Sequence, residues 1–120
     1  MSKAATSIAV FGVYLTVIGL GFLVVPNFAL GLSGLPETSE PYIRLVGMLA
    51  LVLAYFYFRA ARIELREFFW WTVHTRSAAV LLFIVFVLLE VAEPVVLLFG
   101  AADLVGAIWT YLTLRSAQAN

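Results

Sequence analysis

The sequence predicts an all-α integral membrane protein, an antiparallel four-helix bundle with up-down-up-down topology. Two observations carry this reading. The chain of 120 residues is 64% hydrophobic and 12% charged, which excludes a globular domain with an ordinary polar surface. Most of its few charges also fall between apolar runs, each long enough to cross a ~30 Å hydrocarbon core as a helix of ~20 residues. At this length there is room for about four such spans and little else, so residues 1–120 are expected to form a single domain.

The first run, Ile8 to Val25, is closed by Pro26-Asn27, and a helix is expected over about residues 6–25. It exceeds the ~7–15 residue apolar stretch of a signal peptide and lacks an A-x-A site after it. The second helix, about 41–62, covers the run Tyr42 to Phe58 and ends among Arg59 and Arg62. The third, about 72–93, ends at Glu90, Glu93 and Pro94, and the fourth, about 95–115, is closed by Arg115. Between the first two, residues 26–41 are apolar at first and rich in Gly and Pro, which suits a re-entrant turn or lid as well as a surface loop. Residues 59–71 suit a helical extension in the headgroup region, with Trp70 and Trp71 in the aromatic belt.

Lys3, Arg59, Arg62, Arg66, Arg76 and Arg115 fall on one side if the chain crosses four times. The positive-inside bias then places both termini in the cytoplasm and the protein in the cell (inner) membrane. Arg44 is the exception, near the outer start of the second helix. Small residues recur at spacings of three and four, the pattern that lets helices approach closely in lipid: Ala9, Gly12, Thr16 and Gly19 in the first helix, Gly47 and Ala54 on the face of Arg44 in the second, and Gly100, Ala107 and Thr110 on the face of Asp103 in the fourth.

Asp103 is the polar focus. It stands nine residues past Pro94, about 13 Å into its span at ~1.5 Å per residue. A central Asp costs roughly 2.5–3.5 kcal/mol on insertion scales, so such a residue normally faces the protein interior and has a partner. Arg44, Glu90 and Glu93 are the candidate partners, and a cluster of these four residues would form a polar pocket in the outer half of the bundle. Tyr55, Phe86 and Trp109 are candidate lining residues, with packing or belt roles as the alternative.

The zero formal net charge gives no reason to expect nucleic acid as a partner. With no Cys and only His74, thiol chemistry and a bis-histidine haem within one chain are excluded, and neither a metal nor a cofactor is expected. The expected partners are membrane lipids and an apolar small molecule, with a homo-oligomer left open. Three readings of function follow. The first is binding of an apolar or amphiphilic molecule, such as a quinone, isoprenoid or lipid fragment. The second is proton-coupled transport by a homodimer, titrating Asp103 or Glu90. The third is a membrane enzyme using Glu90, Glu93 and Asp103 as acid and base.

The size, the four-helix layout and the Arg44-Leu-Val-Gly47 opening of the second helix resemble the broad set of small bacterial membrane proteins grouped as DoxX-like. That resemblance implies a quinone-linked oxidation and an apolar redox partner. The chain has Leu20-Gly-Phe-Leu-Val-Val-Pro26 where the family's Gly and Lys pattern would stand near the end of the first helix, so no catalytic residue is carried over. Small multidrug transporters are similar in size, but they place an essential carboxylate in the first helix, where this chain has none between Lys3 and Glu37.

Overall fold

The computed structural model describes residues 1–119 and the side chains of residues 1–117. In chain order it forms α1 (Lys3–Val24), a short α2 (Pro26–Leu32), α3 (Tyr42–Arg62), α4 (Arg66–Leu88), a 3-10 turn at Pro94–Val96, and α5 (Leu97–Ala119). α1, α3, α4 and the segment from Pro94 through α5 are each long and apolar enough to cross a membrane. At ~1.5 Å per residue they are about 31–39 Å long, enough to cross the hydrocarbon thickness. The chain is a small multi-pass membrane protein.

The helix ends follow local chemistry. Ser2 caps α1, its hydroxyl accepting from the Ala5 amide at 3.0 Å. Pro26 closes the first span and opens α2, where a missing amide hydrogen does no harm. Three helices end in the same paired-bond turn, in which the residue after the cap adopts a left-handed conformation and the next amide reaches back to a carbonyl of the last turn. At α2 this residue is Gly34 (φ 78°), with Leu35 N donating to Leu30 O. At α3 and α4 it is Glu64 (φ 56°) and Glu90 (φ 61°), with Leu65 N donating to Ala60 O and Val91 N to Phe86 O.

The turn at Glu64 has a consequence the residue pattern did not suggest. It ends α3 at Arg62 and lets α4 begin at Arg66, with Glu67 in its first turn where the helix dipole favours an acid. The third span therefore starts six residues before the expected 72. Arg76, expected among the charges at the membrane edge, stands ten residues into α4, about 15 Å from its start. The basic residues at that end of the bundle are Lys3, Arg59, Arg62, Arg66 and Arg115.

Pairings between helices give the topology. Gly19 lies against Gly47 and Gly12 against Phe58, so α1 and α3 are antiparallel. Gly100 faces Phe83 and Thr110 bonds to Arg76, so α4 and α5 are antiparallel. Phe22 meets Phe99 edge-on at 6.3 Å and Ser7 bonds to Thr110, so α1 also runs against α5. α1 is thus the central helix, packed along α3 on one side and against α5 on another, while α3 and α4 meet only near their shared turn, where Tyr57 and Phe68 pack edge-on at 5.4 Å. The outward faces are apolar, among them Val13 and Val17 of α1, Leu49 and Phe56 of α3, Leu81 and Leu82 of α4, and Val105 and Leu112 of α5. They present the bundle to lipid acyl chains.

Candidate functional site

The most buried charge in the bundle is Arg76, 3% exposed. Its guanidinium leaves α4 toward α5 and α1. Nε donates to the Thr72 carbonyl at 3.2 Å, and Nη2 donates to the Thr72 hydroxyl at 3.0 Å and to the Thr110 hydroxyl at 2.8 Å. The Phe11 ring lies 4.7 Å from the guanidinium carbon and the Tyr57 ring 5.9 Å from it, so aromatic faces from α1 and α3 cover the cation.

The hydroxyl protons can be assigned by elimination, since each hydroxyl has one to give. Ser7 gives its proton to the Ala4 carbonyl at 2.6 Å, so in its 2.7 Å contact with Thr110 it accepts. Thr72 gives its proton to the Phe69 carbonyl at 2.8 Å. Two relays therefore lead from Arg76 to helix carbonyls, one through Thr110 and Ser7 and one through Thr72. They spread part of the buried charge over α1, α4 and α5.

Nη1 is left over. It is buried and has no hydrogen-bond acceptor among the described residues. It sits over Gly106, where a Cβ would come within 2.8 Å of it, so the glycine makes the room that the guanidinium fills. Asp103 lies one helical turn from Gly106 on the same strip of α5, half-buried. Asp103 and Arg76 line one cleft of about 500 Å³ between α3 and α4, with Phe11, Leu15, Tyr57 and Trp71 among its other walls. The cleft exists because α3 and α4 part there while α1 forms its floor. Phe11 also borders an apolar groove of about 410 Å³ between α1 and α5, with Tyr14, Val105 and Trp109.

The residues singled out from sequence are spread through the fold. Asp103 faces the interior cleft, with Arg76 as its basic neighbour. Arg44 is exposed near the start of α3 and donates to the Leu23 carbonyl, using the backbone that α1 frees as it ends. Glu90 and Glu93 are exposed and border a different cleft with Val87 and Pro94. Arg44 lines neither that cleft nor the one at Asp103. The polar cleft runs from mid-depth toward the end bearing Lys3 and Arg66, rather than through the half bearing Arg44 and Glu90, because it follows Arg76. Trp109 borders the α1–α5 groove, Tyr55 is 60% exposed and edge-on to Phe56, and Phe86 is 42% exposed. His74 is exposed on α4.

Arg76, Thr72, Thr110 and Ser7 were missed as a unit. One signal was available: Thr72 stands four residues before Arg76, on its own helical face. Among the described residues no group of three or more His, Asp or Glu side chains gathers in a way that could hold a metal ion. Compared with protein-family models, curated proteins and solved structures, the chain matches none of them.

Proposed function

We propose that this protein binds an amphiphilic molecule in the α3–α4 cleft, with the apolar body against Leu15, Leu53 and Phe68 and the polar head at Arg76. The single observation that supports this is the unsatisfied Nη1 of a buried arginine bordering an apolar cleft. A buried donor without an acceptor costs about 1–3 kcal/mol, more when charged, and a ligand oxygen would remove that cost. The cleft volume falls within the usual range for small-molecule sites, and its mix of apolar walls with a few convergent polar groups is typical of them. Because α3 and α4 are apart, the route in is lateral, from the acyl chains. An isoprenoid, a quinone or a lipid fragment has the required shape. Phe11 covers the guanidinium and is the side chain that must yield for a ligand atom to reach Nη1.

Trp71 on the cleft wall supplies the test. A dibrominated fatty alcohol titrated into the detergent-purified protein is expected to quench tryptophan fluorescence saturably, and Trp71→Phe is expected to remove most of that saturable component. Quenching that is non-saturable, or equal in the two proteins, would overturn the reading.

The orientation proposed is both termini in the cytoplasm, in keeping with five basic residues at that end. The chain has no cysteine, so a single introduced thiol reports its side. Ser39→Cys should react with an impermeant maleimide in intact cells, and Lys3→Cys only after permeabilisation; the reverse pattern would invert the topology.

A further inference from the structure

The occupant of the α3–α4 cleft can be narrowed by charge balance. Arg76 brings one positive charge to the cleft and Asp103 one negative charge. Tyr57 is the other titratable wall residue, and its phenol is uncharged at neutral pH. The pair is formally neutral, yet it is not closed as an ion pair: Nη2 and Nε are engaged by Thr72 and Thr110, and Nη1 has no acceptor among the described residues. Once the Phe11 ring yields, the site therefore offers an unpaired donor at Nη1 and, one helical turn of α5 beyond Gly106, the acceptor oxygens of Asp103.

We infer that the cleft selects an uncharged, hydroxyl-bearing amphiphile, whose oxygen accepts from Arg76 Nη1 while its proton is donated to Asp103. This rests on the cleft being the binding site. A hydroxyl carries both functions on one atom, so a long-chain alcohol, an isoprenol or a monoacylglycerol fits the arrangement. A carboxylate head would satisfy Nη1 but would bring a second negative charge beside Asp103. An ammonium head would satisfy Asp103 but would bring a second positive charge beside Arg76. In a low-dielectric setting an uncompensated charge is costly, and that cost discriminates more strongly than the hydrogen bonds themselves.

Selectivity should invert with the charge of the site. Octadecanol, octadecanoate and octadecylammonium are to be compared at neutral pH as competitors of the dibrominated alcohol, read by recovery of Trp71 fluorescence. In the wild type octadecanol should compete best, by about tenfold over either ion. In Asp103→Asn, which leaves the site net positive, octadecanoate should become the best competitor. In Arg76→Gln, which leaves it net negative, octadecylammonium should. Saturable quenching with the same order of competitors in all three proteins would overturn the charge-balance inference and leave the cleft itself standing. Absence of saturable quenching in the wild type would remove both. Asp103→Asn is nearly isosteric, so if Arg76→Gln does not fold, the alcohol-to-carboxylate inversion in Asp103→Asn alone decides the matter.

Discussion

α1 meets its neighbours in two contrasting ways. Against α3 the contact, apart from the Arg44–Leu23 hydrogen bond at its end, is made by absence: a Cβ on Gly47 would lie 2.6 Å from the Gly19 carbonyl oxygen and 2.7 Å from the Leu23 amide nitrogen, and one on Gly19 would lie 2.8 Å from the Gly47 carbonyl. Against α4 and α5 the contact is polar and made by presence, through Ser7, Thr110, Thr72 and Arg76. In lipid there is no hydrophobic gain from bringing two helices together, so close backbone packing and hydrogen bonds between helices are the two available sources of attraction. The protein relies chiefly on one on each side of the same helix. Backbone packing tolerates no added atom, whereas a polar contact leaves capacity for a ligand, and the unsatisfied Nη1 lies on the polar side.

The largest effect is expected from breaking the glycine-packed side. Gly47→Leu forces side-chain atoms into the backbone of α1 and should destabilise the protein by roughly 3 kcal/mol, the upper range for overpacking. Chemical or thermal unfolding in detergent measures it. Gly31→Leu is the matched control, since nothing lies within 4 Å of a Cβ there, and it should change stability by less than about 0.5 kcal/mol. Equal losses at both positions would mean that the Gly19–Gly47 approach does not hold α1 to α3.

A smaller loss is expected on the polar side. Thr110→Val removes the bonds to both Ser7 and Arg76 while keeping the shape, and with ~0.6 to ~1.7 kcal/mol for such bonds in membrane proteins the loss should be about 1–2 kcal/mol. Ser7→Ala should cost less. The double variant should fall short of the sum, because both changes cut the same relay. Strict additivity would show that Ser7 and Thr110 act independently.

The smallest effect belongs to the end of the bundle where the two sides meet. The Glu64 carboxylate accepts from the Ser2 amide, 3.2 Å from each oxygen, tying the start of α1 to the turn between α3 and α4. Hydrogen bonding from Ser2, with a further contribution from the Arg66 charge, holds this carboxyl below the usual glutamate range. A folded-state value below the unfolded one adds stability that is present above the unfolded value and is lost as pH falls through the folded one. The tie should therefore weaken only on acidification below the ordinary glutamate range. Glu64→Gln should flatten that part of the stability profile and leave neutral pH nearly unchanged. An unchanged acid limb in the variant would assign the acid sensitivity elsewhere.

Much of the fold could be read from residues because it rests on local rules. Apolar runs of helical length, Pro26 and Pro94 between them, and small residues at spacings of three and four each report on the backbone beside them. The candidate site was legible by half. Asp103 could be recognised as interior because a carboxylate in an apolar run must be accommodated, and its strip with Gly100, Ala107 and Thr110 gave its direction. Its neighbour could not be named, because Arg76 reads as a membrane-edge charge unless α4 is known to begin at Arg66. That start depends on Glu64 taking a left-handed conformation, which sequence statistics assign to glycine or asparagine.

The sequence by itself determined that this protein crosses a membrane as four helices, since hydropathy and length are properties of each segment alone and the solvent enforces them. Tertiary structure decided which charge is buried, because burying Arg76 required Thr72 from its own helix, Thr110 and the bare α-carbon of Gly106 from α5, and Phe11 from α1 to arrive at one point. It also decided that α3 and α4 stay apart. No single helix encodes that separation: α1 packs closely on α3 through glycines, α4 is held through Arg76 to α5, and the cleft is the space those two allegiances leave.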